Sequence, residues 1–160
     1  MKTILVPIDF SDATDAVLDA AATMAQALSA RVVLAYVVEP PVVVNEFSTV
    51  TEDMLLEEEK TATEQLAQAL RHFSDRGIEA DSRQLFGPAP REVVDEVRRL
   101  RPDLVVLGSH GHSALYDLLV GSVTAHVLRH VSCPVLVIPA GSQAAQAAAQ
   151  AAASTSAPAR

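Results

Sequence analysis

Four short runs rich in Val, Ile and Leu, "TILVPI", "RVVLAYVV", "DLVVLG" and "PVLVIP", punctuate the chain, each bounded by breakers. Their apolar residues are continuous rather than alternating, which is the pattern of strands covered on both faces. Between them lie helical periodicities. Val17, Ala21, Met24, Ala25 and Leu28 share one helix face, with Ser11 as the expected N-cap and Asp12 and Asp15 in the first turn. Leu55, Ala62, Leu66, Ala69, Leu70 and Phe73 mark a longer helix that Gly77 can end. Pro90 opens a third helix carrying Val93, Val94 and Val97, and Pro102 ends it. A fourth begins near Ser122 and is expected to bury Val123, Val127 and Leu128.

The segment "IEADSRQLF" is more polar than the other runs and suits an edge strand. Strands and helices therefore alternate, and right-handed crossovers turn that order into a doubly wound α/β fold: a five-stranded, mostly parallel sheet in the order 3-2-1-4-5 with helices on both faces. With 160 residues, 49% of them hydrophobic and 20% charged, the chain can bury one ordinary core. That core is expected in residues 1–140. From Gly141 onward the sequence is almost entirely Ala, Gln and Ser, with nothing large to pack, so residues 141–160 read as a disordered tail.

Charge and cysteine usage narrow the partners. The formal net charge of -8 argues against duplex nucleic acid or an anionic membrane, although backbone amides could still hold a small anion. No run is long enough to span a bilayer, and "MKTILVPID" meets charge too early for a secretory signal, so the expected location is cytoplasmic. The single cysteine, Cys133, reads as a small core residue beside Pro134.

Three of the six glycines fall in "LGSHGHSALYDLLVGS", at the end of the third of these apolar runs. Clustered glycine marks either tight turns or a backbone that something approaches closely. The spacing Gly108-x2-Gly111-x9-Gly121-Ser122 puts two glycines in the turn leaving the fourth strand and one at the start of the fourth helix, where free amides and the helix dipole suit a phosphate. A turn and a helix cap would use the same residues. The pattern is neither a Walker A sequence nor the dinucleotide GxGxxG. At the end of the first strand Asp9 can accept from a ribose or a base edge, or can simply cap the first helix with Ser11.

Taken together, "ILVPIDFS", "AYVV", the Gly-x2-Gly-x9-Gly-Ser spacing and "CPVLVIP" resemble the universal stress protein family over about residues 1–140. The resemblance implies the ATP-binding type of that family, acting in stress adaptation by binding nucleotide. It implies that Pro7, Ile8 and Asp9 line the adenine and ribose side and that Val37 touches the base. Leu107, Gly108, Gly111, Gly121, Ser122, Val123 and Thr124 would wrap the ribose and phosphates, with Mg or Mn bridging phosphate oxygens. The hydroxyls of Ser122 and Thr124 can donate to phosphate. Family members that bind ATP often carry basic residues after the second glycine, whereas this chain has His112 and Asp117. That difference leaves the preference among ATP, ADP and AMP open.

Other candidates are weaker. His110 and His112 flank Gly111 as possible catalytic or solvated side chains, and His126 and His130 stand four apart on a helix without the Glu of a zinc hydrolase. The latter pair, with Arg129, is expected to serve the last helical carbonyls. The valines of "EPPVVVNEFSTV" either fold over the cleft, meet a partner, or pack on their own domain. No nucleophile elbow is present. Three functions follow: a nucleotide-dependent switch, a slow ATP hydrolase on the same pocket, and a homodimeric interaction protein without nucleotide. The dimer is expected through the apolar last strand at the sheet edge.

Overall fold

The computed structural model describes residues 1–39, 52–109 and 120–139. The glycine-loop residues Gly111, His110, His112 and Asp117, the valine segment after Glu39, and the tail from Gly141 lie outside them. Strands β1 (Lys2–Ile8), β2 (Ala30–Val38), β3 (Ala80–Phe86), β4 (Leu104–Gly108) and β5 (Val135–Ile138) alternate with helices α1 (Thr14–Leu28), α2 (Glu52–Ser74), α3 (Ala89–Leu100) and α4 (Ser122–His130). They form one sheet in the order β3-β2-β1-β4-β5. Every neighbouring pair is parallel.

The continuous apolar runs are explained by two cores. Ile4, Val6 and Ile8 of β1 face α1 and α2 together with Val32, Leu34 and Val106. Leu5, Val33, Ala35, Val105 and Leu107 point the other way, against Val93, Val94 and Val97 of α3 and Val127 of α4. Successive residues serve opposite layers, so at the central positions of β1, β2 and β4 a polar side chain would reach one of the cores, and the charged Lys2 and Arg31 stand near the strand starts. The edge strand β3 is mostly half-buried or exposed, as its polarity predicts.

Turn chemistry sets the helix ends. Gly77 has φ +69, which lets the Ile78 N–H return to the Phe73 carbonyl at 3.0 Å and stop α2. Arg101 closes α3 in the left-handed region at φ 48, donating its N–H to Val97 at 2.8 Å before Pro102 forbids another turn. Pro90 is the second rather than the first residue of α3.

Two expectations are corrected. The N-cap of α1 is Ala13, not Ser11, and Asp12 precedes the helix. The Asp9 carboxylate accepts the Ser11 N–H at 3.1 Å and the Ser11 carbonyl accepts the Thr14 N–H at 2.9 Å, so a local turn occupies the residues expected to begin the helix. In α4, Leu128 is 49% exposed. Only Thr124 and Val127 of that helix are buried, and Leu128 lies a further 100° or so around the axis, beyond the contact stripe.

Cys133 is half-buried against the α3–α4 core, and this burial pushes its thiol above its ordinary range. His130 Nδ1 donates to the His126 carbonyl at 2.8 Å while the two rings stack at 4.1 Å, so this ring serves the helix end as expected. Among the described residues no helix is long and apolar enough to cross a membrane.

Candidate functional site

All the parallel strands end on one side of the sheet, and there β1, β2 and β4 border a cleft of about 550 Å³. β1 supplies Pro7 and Ile8, with Asp9 just beyond its end, and β2 supplies Val37. Leu107 and Gly108 come from β4, and Gly121, Ser122, Val123 and Thr124 from the start of α4. Every residue that the resemblance assigned to nucleotide contact therefore lines this one cleft, except Gly111, which lies outside the described residues.

Gly121 answers half of the question that the glycines raise. Its φ of -58 and ψ of 157 are open to any residue, so no left-handed backbone requires glycine there. The helix ladder starts with the Ala125 N–H on the Gly121 carbonyl at 2.8 Å. The N–H groups of Ser122, Val123 and Thr124 consequently have no partner within the helix, and they carry the positive end of its dipole at the cleft.

The Thr124 hydroxyl differs from its expected role. It is buried and donates to the Gly108 carbonyl at 2.7 Å, tying α4 to the end of β4. Its one proton is thus committed, and the anion-facing donors at this end are backbone amides and the Ser122 hydroxyl. Gly121 is fastened to the same strand end by its N–H on the Ser109 carbonyl at 2.8 Å.

On the opposite side, Phe10 holds the turn after β1. Its φ of 56 is left-handed, a strain of about 1 kcal/mol for a non-glycine residue. Its ring packs on Tyr36 with centroids 4.9 Å apart, and Tyr36 itself lines the cleft. The turn thereby presents Asp9 and Thr14 to the cavity, and the Thr14 hydroxyl oxygen is buried there with no hydrogen-bond partner. Such an orphaned oxygen in a cleft lining is suited to a ligand's polar group.

Tyr36, Thr14 and Glu39 are lining residues that the sequence reading missed. Glu39 was within reach of the rule that found Asp9, because it too is a carboxylate directly after a strand's carboxyl end. Its Oε1 accepts the Ala89 N–H at 2.8 Å, capping α3 from β2. Walls of Ile8, Ala35, Val37 and Leu107 beside polar ends give the cavity the composition of a small-molecule site. Among the described residues no group of three His, Cys, Asp or Glu side chains could hold a metal ion.

A family model described as the universal stress protein family matches residues 1–139. The chain belongs to that family. This universal stress protein is 31% identical over 140 residues to a universal stress protein of Methanocaldococcus jannaschii, with 86% of this chain and 81% of the relative covered. Its fold is similar to that of a universal stress protein from Lactobacillus plantarum, with a TM-score of 0.72 at 28% identity over 86% of this chain and 97% of the other. A universal stress protein from Archaeoglobus fulgidus, solved in complex with dAMP, shares the fold at a TM-score of 0.64 and 23% identity, covering 86% and 98% of the two chains.

Proposed function

We propose that this universal stress protein binds an adenine nucleotide, ATP foremost, in the cleft at the strand ends, and acts as a stress-response module whose occupancy changes its shape or its partners in the cytoplasm. The observation that carries the reading is the open first turn of α4: amides of Ser122, Val123 and Thr124 without helical partners, beside an apolar cavity wide enough for a base and ribose. Pro7, Ile8 and Val37 would hold the base, Asp9 the ribose, and Leu107, Gly108, Gly111 and Gly121 would let the phosphates approach. A bound Mg or Mn would neutralise phosphate charge, with its ligands coming mainly from the phosphates themselves. The dAMP complex of the Archaeoglobus fulgidus protein supports a nucleotide in this fold.

Freshly purified protein, once denatured, should release ATP in near-stoichiometric amount. Release of ADP with free phosphate would favour a slow hydrolase on the same pocket. An empty protein that also fails to bind added Mg-ATP would sink the nucleotide reading and leave an interaction protein.

The same reading includes a homodimer through β5. This strand ends the sheet beyond β4, so one row of its backbone groups has no neighbour in the sheet, and Val135 to Ile138 are only half-buried. Val137→Lys is expected to shift the sedimentation of micromolar protein from dimer to monomer. A monomeric parent, or an unaltered dimer in the variant, counts against the β5 interface.

A further inference from the structure

The helix N-termini around the cleft differ in what their amides already hold. At α3, Glu39 Oε1 accepts the Ala89 N–H at 2.8 Å and Pro90 has no N–H. The Arg91 and Glu92 amides both donate to the Pro88 carbonyl, at 3.0 and 3.1 Å. The first turn of α3 is closed. At α4 the equivalent amides, those of Ser122, Val123 and Thr124, have no helical partner, because the ladder begins with Ala125.

Side-chain charge follows the same division. Among the described residues the cleft lining contains no Lys or Arg, and its carboxylates are Asp9 and Glu39, at the ends of β1 and β2. Strand β1 separates β2 from β4, which places the two sides of the cleft roughly 10 Å apart. The β1–β2 side is therefore negative, and the α4 side offers amide donors, the Ser122 hydroxyl and a helix dipole.

We propose that Glu39 is a specificity-determining residue: by filling the N-terminus of α3 with the protein's own carboxylate, it confines a ligand's negative charge to the α4 end. The cleft then favours nucleotides whose phosphates all leave from one position over those phosphorylated at a second. Two features of Glu39 act together. Its bond to Ala89 removes the α3 amide that a second phosphate could use, and its charge repels that phosphate. The inference rests on the nucleotide reading above.

ADP and adenosine 3′,5′-bisphosphate are isomers of equal composition that differ only in where the second phosphate sits. Calorimetric titration of the full chain with each should show a preference for ADP. In Glu39→Ala that preference should narrow about tenfold. Glu39→Gln, whose amide oxygen can still accept from Ala89, should fall between the two. Loss of the α3 cap alone would weaken both isomers alike, so the ratio isolates the specificity role from a structural one. A parent that binds both isomers equally, or a ratio unchanged in both folded variants, overturns the proposal. If the parent binds neither isomer and no Mg-ATP, the nucleotide reading fails with it; if it binds Mg-ATP but neither isomer, or binds ADP with an unchanged ratio, the proposal for Glu39 fails alone.

Discussion

Phe73→Ala is expected to lower the free energy of unfolding by about 3–5 kcal/mol, the range for emptying a fully enclosed aromatic site. Phe73 is 0% exposed and is the largest of the fully buried side chains. It enters the core on the α1–α2 face of the sheet beside Leu66, Ala69 and Ile78. Its backbone also matters, because its carbonyl accepts the Arg76 and Ile78 N–H groups at 3.0 Å where α2 turns into β3. A cavity here lies beneath the turn that registers β3 on β2, so surrounding elements can collapse into it only by moving that edge strand. Since domains of this size are stable by only about 5–15 kcal/mol, the variant should lose a large share of its stability. Urea titration should show a lower midpoint with an unchanged slope. Leu128→Ala, at a residue 49% exposed, should stay within about 0.5 kcal/mol of the parent, and equal losses at the two sites would contradict the assigned cores.

The fold was legible in the sequence where burial is two-sided. β1, β2 and β4 feed cores on both faces, so their runs are rich in Val, Ile and Leu without polar alternation, and the polar β3 identified itself as an edge by contrast. What escaped the sequence was local and tertiary. Helix periodicity cannot show that Phe10 turns left-handed and delays α1 to Thr14, because the ring contact with Tyr36 joins the turn after β1 to β2, 26 positions away in sequence. Leu128 matches an apolar pattern, but α4 is nine residues long and meets its neighbours along a narrow stripe. The candidate site was readable in part for the same reason as the fold: parallel strands bring their carboxyl ends together, so Asp9 and the glycines at and after the end of β4 had to converge, while Pro7, Ile8, Val37 and the other contacts came from the family resemblance. Glu39 was readable as a lining residue and not as a cap, because its bond to Ala89 spans 50 positions of sequence. The Thr124 hydroxyl was assigned to phosphate on the family resemblance and its donor chemistry, whereas its reach to Gly108 depends on where α4 docks.

Gly121→Asp should separate stability from binding with opposite signs. Gly121 is the N-cap of α4, with φ -58 and ψ 157, and its helix makes no side-chain cap bond. Asp is a preferred residue at such a position and accepts from the second or third amide of the helix, so the variant should be as stable as the parent or gain a few tenths of a kcal/mol. Those amides belong to Val123 and Thr124, and they are the groups proposed to hold phosphate. The introduced carboxylate would occupy them and repel the triphosphate. Displacing charge-assisted hydrogen bonds worth about 1.5–3 kcal/mol each should weaken Mg-ATP binding by roughly a hundredfold or more. Gly121→Ala adds bulk without charge and removes no donor, so its loss should be smaller, although Ala is a poorer cap than Gly. Because the backbone here is not left-handed, neither substitution carries a φ penalty, and a loss of binding cannot be assigned to strain. Thermal melts and Mg-ATP calorimetry on the three proteins decide the matter. A folded Gly121→Asp protein that binds Mg-ATP as tightly as the parent would place the phosphates elsewhere and reduce the glycine to a helix cap.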